Sequence, residues 1–202
     1  MIVIKFRESN KEIISLINTA LAKEINVAIK QAIPVLQQKI IPVIRTSLLT
    51  SPEISSLSNG ILRAEFGLTS DPTPELIEAI LATFQIRPLY AQKNRGGGIE
   101  IVMQPGDYSN ILGKSFAQQP IDGGSLPWLS WLLTLGDSII ITGFGVEFGA
   151  FKTSRTGEAK MSSKAAPYKV NSAFSGTLND NFITRAVNRV YPQIQSIIVG
   201  TL

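Results

Sequence analysis

Residues 126–161 read LPWLSWLLTLGDSIIITGFGVEFGAFKTSRTGEAKM, and residues 174–186 read FSGTLNDNFITRA. Trp128 and Trp131 stand three apart on an apolar run that predicts a short helix over 126–135, closed by Gly136. The β-branched and aromatic residues of 138–148 predict a strand. Residues 152–175 then carry Lys152, Arg155, Lys160, Lys164 and Lys169 without any apolar period. A stretch this long without a core pattern is uncommon inside a domain and is usually functional or disordered. It reads as an extended arm on a packed unit, mobile until a partner holds it. That arrangement points to an assembly protein rather than to a set of catalytic groups.

The C-terminal segment opens with Thr177 and Asp180 at cap spacing. Leu178, Phe182, Ile183, Ala186, Val187 and Val190 share one helical face, and Pro192 bends or restarts the helix before 194–199. At the other end, residues 2–6 suit a short edge strand. Ser9 and Glu12 have the spacing of a capping box. Ile13, Ile14, Ile17, Leu21, Ile25, Ala28, Ala32 and Ile33 follow at helical spacing, and Pro34 and Pro42 divide this run into two or three helical pieces over 10–49. Ser51-Pro52-Glu53 and Thr73-Pro74-Glu75 each predict a helix start, with a proline in the first turn and an acid near the positive helix end. Leu76, Ile77, Ile80, Leu81 and Phe84 give the second of these helices its apolar face. Residues 86–91 and 99–104 predict paired strands joined through Asn94, Arg95 and Gly96 to Gly98, the glycines supplying positive φ. Residues 118–125 read as a Gly/Pro-rich loop. The class is α+β in a single domain over 1–202: N-terminal helices, a small antiparallel sheet with interposed short helices, a long basic loop and a C-terminal helix.

Composition narrows the chemistry. The 202 residues include 44% hydrophobic and 17% charged residues, enough for a core. The net charge of +4 is mild and dispersed, so it does not by itself indicate nucleic acid. There is no histidine and no cysteine, which removes histidine triads, thiolate nucleophiles, disulfides and ordinary zinc sites. No catalytic residue, cofactor or metal is expected. The N-terminus lacks the form of a signal peptide, and the most apolar window, 126–144, is interrupted by Gly136 and Asp137, so no membrane association is expected.

Each suggestive cluster has a plainer reading. The glycines at 96–98 could cradle a phosphate, but Ile99, Glu100, Ile101 and Val102 continue as a strand rather than a helix. Gly143-Phe144-Gly145-Val146 lacks the spacing and setting of a dinucleotide loop. Glu65, Glu100, Glu147 and Glu158 lie near apolar segments, yet nothing in their spacing pairs two of them for acid–base work. Ser162, Ser163 and Lys164 lie in a polar loop unsuited to desolvating a lysine base. Trp128 and Trp131 are core residues or interface anchors, and both roles can coexist where an interface resembles a divided core. The five cations of the arm outnumber its single acid, Glu158, and suit docking on an acidic neighbouring protein before DNA phosphates. The candidate subunit interface is therefore Trp128, Trp131, Lys152, Arg155, Lys160, Lys164 and Lys169.

Six segments carry a resemblance: Arg63 to Leu68 (RAEFGL), Leu126 to Leu133 (LPWLSWLL), Gly136-Asp137, Val146-Glu147-Phe148-Gly149, Ser154-Arg155-Thr156-Gly157, and Phe174-Ser175-Gly176-Thr177 with Phe182 to Ala186 (FITRA). Together they resemble structural proteins of contractile-tailed bacteriophages, cyanophage-like members especially. The helix-rich start is similar in style to neck and tail-completion proteins. The family often places a proline pair before its Phe-x-Gly-Thr segment, where this chain has Asn171 and Ser172. The resemblance implies a non-enzymatic virion protein of the neck or tail, assembled in the host cytoplasm. It implies a six-fold homo-oligomeric ring at the head–tail junction, contacting neighbouring neck and tail proteins and, in passing, DNA in the lumen. A baseplate or other tail component is the alternative it leaves open; a tail-associated hydrolase is disfavoured by the missing catalytic residues.

Overall fold

Ser9 and Glu12 open the longest helix with reciprocal bonds. The Glu12 carboxylate accepts from the Ser9 amide at 2.7 Å and hydroxyl at 2.8 Å, and the Ser9 hydroxyl accepts from the Glu12 amide at 3.4 Å. The first of these bonds, above all, holds the Glu12 carboxyl below its ordinary pKa. The structure is a computed structural model describing residues 8–103, 106–121 and 124–202. The strand expected over 2–6 lies outside the described residues.

Helix α1 runs unbroken over Asn10–Leu49 for 40 residues, which corrects the expectation of two or three pieces. Each proline removes one backbone donor and costs about 3 kcal/mol in a helix interior. Leu36, Ile40, Ile44 and Leu48 recur every four residues and are completely buried. At about 1.5–3 kcal/mol for each buried side chain, this row at least offsets the two prolines.

Backbone contacts divide the chain into two compact units. The first comprises 10–40 of α1, strands β1 (Gln85–Leu89) and β2 (Gly98–Val102), and residues from 194 onward. β1 and β2 pair antiparallel from Gln85↔Val102 to Leu89↔Gly98. Their tight turn is at Lys93 and Asn94, because Gln92 and Arg95 exchange backbone bonds of 2.8 and 3.0 Å. The glycines are therefore not the turn, and none of Gly96, Gly97 and Gly98 has positive φ. Gly97 serves close packing instead: a Cβ there would stand 2.8 Å from Ile29 Cδ1 and 3.0 Å from the Ala91 nitrogen. Asn26 fastens the hairpin to α1, donating to the Ala91 carbonyl at 3.0 Å and accepting from its amide at 2.6 Å.

The second unit holds 41–49 of α1, α2 (Pro52–Asn59), α3 (Ile61–Phe66), α4 (Thr73–Ala82), α5 (Ser109–Leu112), a 3-10 turn (Ser115–Ala117), α6 (Trp128–Leu133) and 182–193 of α7 (Phe182–Val199). Both Pro-Glu signals begin helices as expected. The α2 cap is not the expected one: the Ser51 hydroxyl donates back to the Leu48 carbonyl at 2.7 Å. At α4 the Asp71 carboxylate accepts from the Thr73 amide at 2.9 Å. Two antiparallel hairpins complete the unit, β3 (Gln119–Ile121) with β4 (Gly124–Leu126), and β5 (Gly145–Phe148) with β6 (Ala159–Ser162). The architecture is α+β, with three two-stranded antiparallel sheets among the described residues.

Three expectations are corrected here. Residues expected as a loop over 118–125 include β3 and β4. The strand expected over 138–148 is ordered as a strand only at Gly145–Phe148, with Ile141 making a lone bridge to Tyr168. The arm expected over 152–175 is folded onto its own unit. β6 pairs with β5, the Gly149 and Phe151 amides donate across the loop to Glu158 and Gly157 at 2.8 and 2.9 Å, and Tyr168 and Val170 are buried. The segment lacks periodicity because its anchors are single residues separated by turns. Gly145 permits the approach, since a Cβ there would collide with the Ala166 carbonyl.

Asn181, rather than Thr177, caps α7. Its side-chain oxygen accepts from the Ile183 and Thr184 amides at 3.1 and 3.2 Å, while its amide donates to the Thr184 hydroxyl at 2.9 Å. Its side-chain nitrogen donates to the Tyr108 hydroxyl at 2.8 Å and the Thr177 carbonyl at 2.9 Å. Leu178, expected on the buried face, lies before the helix and is 48% exposed. Asn181→Ala removes the cap and leaves buried polar groups unpaired, an expected loss of about 2–4 kcal/mol. Urea denaturation measures it, and a loss below about 1 kcal/mol would contradict the assignment.

Candidate functional site

In the second unit, α3 buries Leu62, Ala64 and Phe66 and ends at Gly67, whose φ of 65° places it in the left-handed region. Glu65 projects from the last turn of α3 into a cleft of about 430 Å³. Phe66, Leu126, Ile141, Val146 and Met161 supply apolar walls, and Ser154, Arg155, Lys160 and Tyr168 supply polar groups. A neighbouring hollow of about 510 Å³ shares Glu65, Val146 and Tyr168. Glu65 Oε2 and Ser154 Oγ are both buried and have no hydrogen-bond partner. Burial alone pushes the Glu65 carboxyl up to about 7. Tyr168 donates its hydroxyl to the Glu65 main-chain carbonyl at 3.2 Å. Burial, and then the Glu65 charge, push the Tyr168 phenol above its ordinary pKa.

The arm cations largely serve this unit. Arg155 donates to the Pro120 carbonyl at 3.0 Å. Lys160 lies 3.6 Å from Glu147 and 4.3 Å above the centre of the Phe151 ring. Lys169 lies 3.8 Å from Asp137, and Lys152 and Lys164 are exposed. Trp128 is fully buried; its indole N–H donates to the Phe116 carbonyl at 2.9 Å, and its ring centre lies 5.7 Å from that of Phe66. Trp131 is buried as well, with its indole nitrogen unpartnered.

The resemblance-bearing segments converge in this one unit. The Gly176 amide donates to the Trp131 carbonyl at 3.0 Å, and the Gly136 amide donates to the Gly176 carbonyl at 2.9 Å. A Cβ on Gly176 would collide with the Leu132 carbonyl, so glycine lets the two segments touch. Phe66 against Trp128 and Tyr168 against Glu65 tie in the α3 segment. These segments thus meet one another as packing contacts.

As chemistry, the arrangement is sparse. The Ser162 hydroxyl accepts from the backbone amide of Lys164 at 3.3 Å, so the observed bond does not use the ammonium. Among the described residues, no group of three or more acidic side chains could hold a metal ion, and no helix is long and apolar enough to cross a membrane. Glu65 is visible in the sequence as one of four carboxylates and Ser154 as the first residue of the Ser-Arg-Thr-Gly segment, whereas the sequence assigns Tyr168 no role. An aromatic in a polar run that holds only one other, Phe174, is the available signal for Tyr168. Comparison with protein-family models, curated proteins and solved structures found no match.

The Glu65 shift has a definite sign. Below its ordinary value of 4.5 the carboxyl is protonated whether folded or unfolded. As pH rises from 4.5 to about 7 the unfolded chain gives up this proton first, so stability falls. Glu65→Gln should remove that dependence, and its advantage over the parent should grow across this window. Denaturant midpoints at successive pH values measure it; parallel profiles for the two proteins would contradict the burial account.

Proposed function

We propose that the chain is a structural, non-catalytic subunit of a contractile-tailed phage virion. Its proposed place is the head–tail junction, as one copy in a homo-oligomeric, six-fold ring that joins head to tail. The motif resemblance supplies the class. The observation that carries an assembly role is the N-terminal part of α1, where Ile14, Leu16, Ile17 and Leu21 are 55–64% exposed. Contiguous apolar surface in water is characteristic of protein contacts. The packed, bonded state of the basic segment moves the proposed interface away from a mobile arm toward this helix. Lys152 and Lys164 remain candidates for contacts with neighbouring virion proteins or passing DNA.

A density map and mass spectrometry of the intact particle test this reading. The expected result is several copies forming a ring between the portal and the tail. Density in the baseplate would move the protein to another tail station, and absence from purified particles would overturn the virion role.

A further inference from the structure

Two rows of side chains run along α1 in the first unit at alternating spacings of three and four. One comprises Ile13, Leu16, Ala20, Lys23, Val27 and Lys30; the other, displaced by one residue, comprises Ile14, Ile17, Leu21, Glu24, Ala28 and Gln31. Alternating three and four averages 3.5, the period at which a row stays against a neighbouring helix. Except for the half-buried Ile13, every member is exposed. The β1–β2 hairpin is held between the two rows, where Asn26 bonds to Ala91 and Gly97 meets Ile25 and Ile29. Its end borders row one, since Lys23, Val27 and Lys30 share an open hollow with Tyr90, Gln92 and Lys93, and it borders row two at Leu21.

Adjacent rows are separated by about 100° around a helix axis. One neighbouring helix covers one such row, so this surface calls for two neighbours. The charges identify them. Row one carries Lys23 where row two carries Glu24. In a parallel, in-register contact of row one with row two, Lys23 meets Glu24, and the small Ala20 meets the large Leu21. Leu16 meets Ile17 one layer below, and Val27 meets Ala28 one layer above. Parallel pairing of row one with itself would oppose two lysines, and of row two with itself two glutamates.

We infer that this surface docks a second copy of the same chain, with row one of each subunit packed in parallel on row two of the next. Such a head-to-tail contact repeats and closes into a ring when the rotation permits. The inference deepens the assembly reading and rests on it for the choice of partner. Its test reads self-association in solution, whereas the particle map reads location, so the two can fail separately.

The experiment is sedimentation velocity of the full chain over a range of concentrations, with circular dichroism to verify the fold. The parent chain should form a closed oligomer. Leu21→Asp, at a 55% exposed position, should keep its helical signal and sediment as a monomer. Lys23→Glu and Glu24→Lys should each weaken association at least about tenfold through like-charge contacts. An equimolar mixture of these two variants should reassemble, because row one of each then opposes the complementary charge in row two of the other. A parent chain that remains monomeric at every soluble concentration would overturn the inference, as would an oligomer indifferent to Leu21→Asp. Full association by Lys23→Glu alone, or a mixture that does not recover, would also overturn the head-to-tail pairing.

Discussion

An α-helix can bury only the faces for which it finds partners, and α1 has more apolar surface than the described residues cover. Leu36, Ile40, Ile44 and Leu48 are removed from water and sustain the helix through two interior prolines. Toward the N-terminus, Ile14, Leu16, Ile17 and Leu21 remain in water. At about 25 cal/mol for each Å² of apolar surface, leaving such a row solvated forgoes several kcal/mol. Association is the direct way to recover it. The mixed charges of Lys23 and Glu24 restrict which surfaces can meet, in the way polar residues in helical seams fix register.

The parts of the fold decided by neighbours in sequence were legible in the sequence. Ser9 and Glu12 form the expected capping box, the Pro-Glu signals begin α2 and α4, and residues on either side of 92–95 form a hairpin. Features decided by distant packing were not. Pro34 and Pro42 signalled breaks because local propensity contains no term for the buried row that surrounds them. The 152–175 segment read as an arm because Ala159, Tyr168 and Val170 are isolated anchors with no period. Asn181 was overlooked as a cap because its second role, donating to Tyr108, spans 73 positions in sequence.

The segments gathered in the second unit also acquire a physical meaning. Gly176, within one of them, and Gly145, just before another, are places where backbone approaches backbone too closely for a Cβ. Trp128 fills the interior beside Phe66, and Gly176 bonds to the Trp131 carbonyl. Glu65 departs from this economy: its carboxyl oxygen is buried without a partner, and the fold tolerates the cost next to an open cleft. Legibility was lowest here, because nothing near Glu65 in sequence distinguishes it from the three other carboxylates beside apolar segments.

Disulfide capture between copies tests the central claim most directly, since the chain contains no cysteine of its own. In the double variant Ala20→Cys with Leu21→Cys, position 20 of one subunit should meet position 21 of the next. Mild oxidation should give a ladder of linked subunits on a non-reducing gel, ending at the closed ring, while each single variant stays largely unlinked. A product that stops at the dimer, or a double variant that remains monomeric, would contradict a head-to-tail assembly through α1.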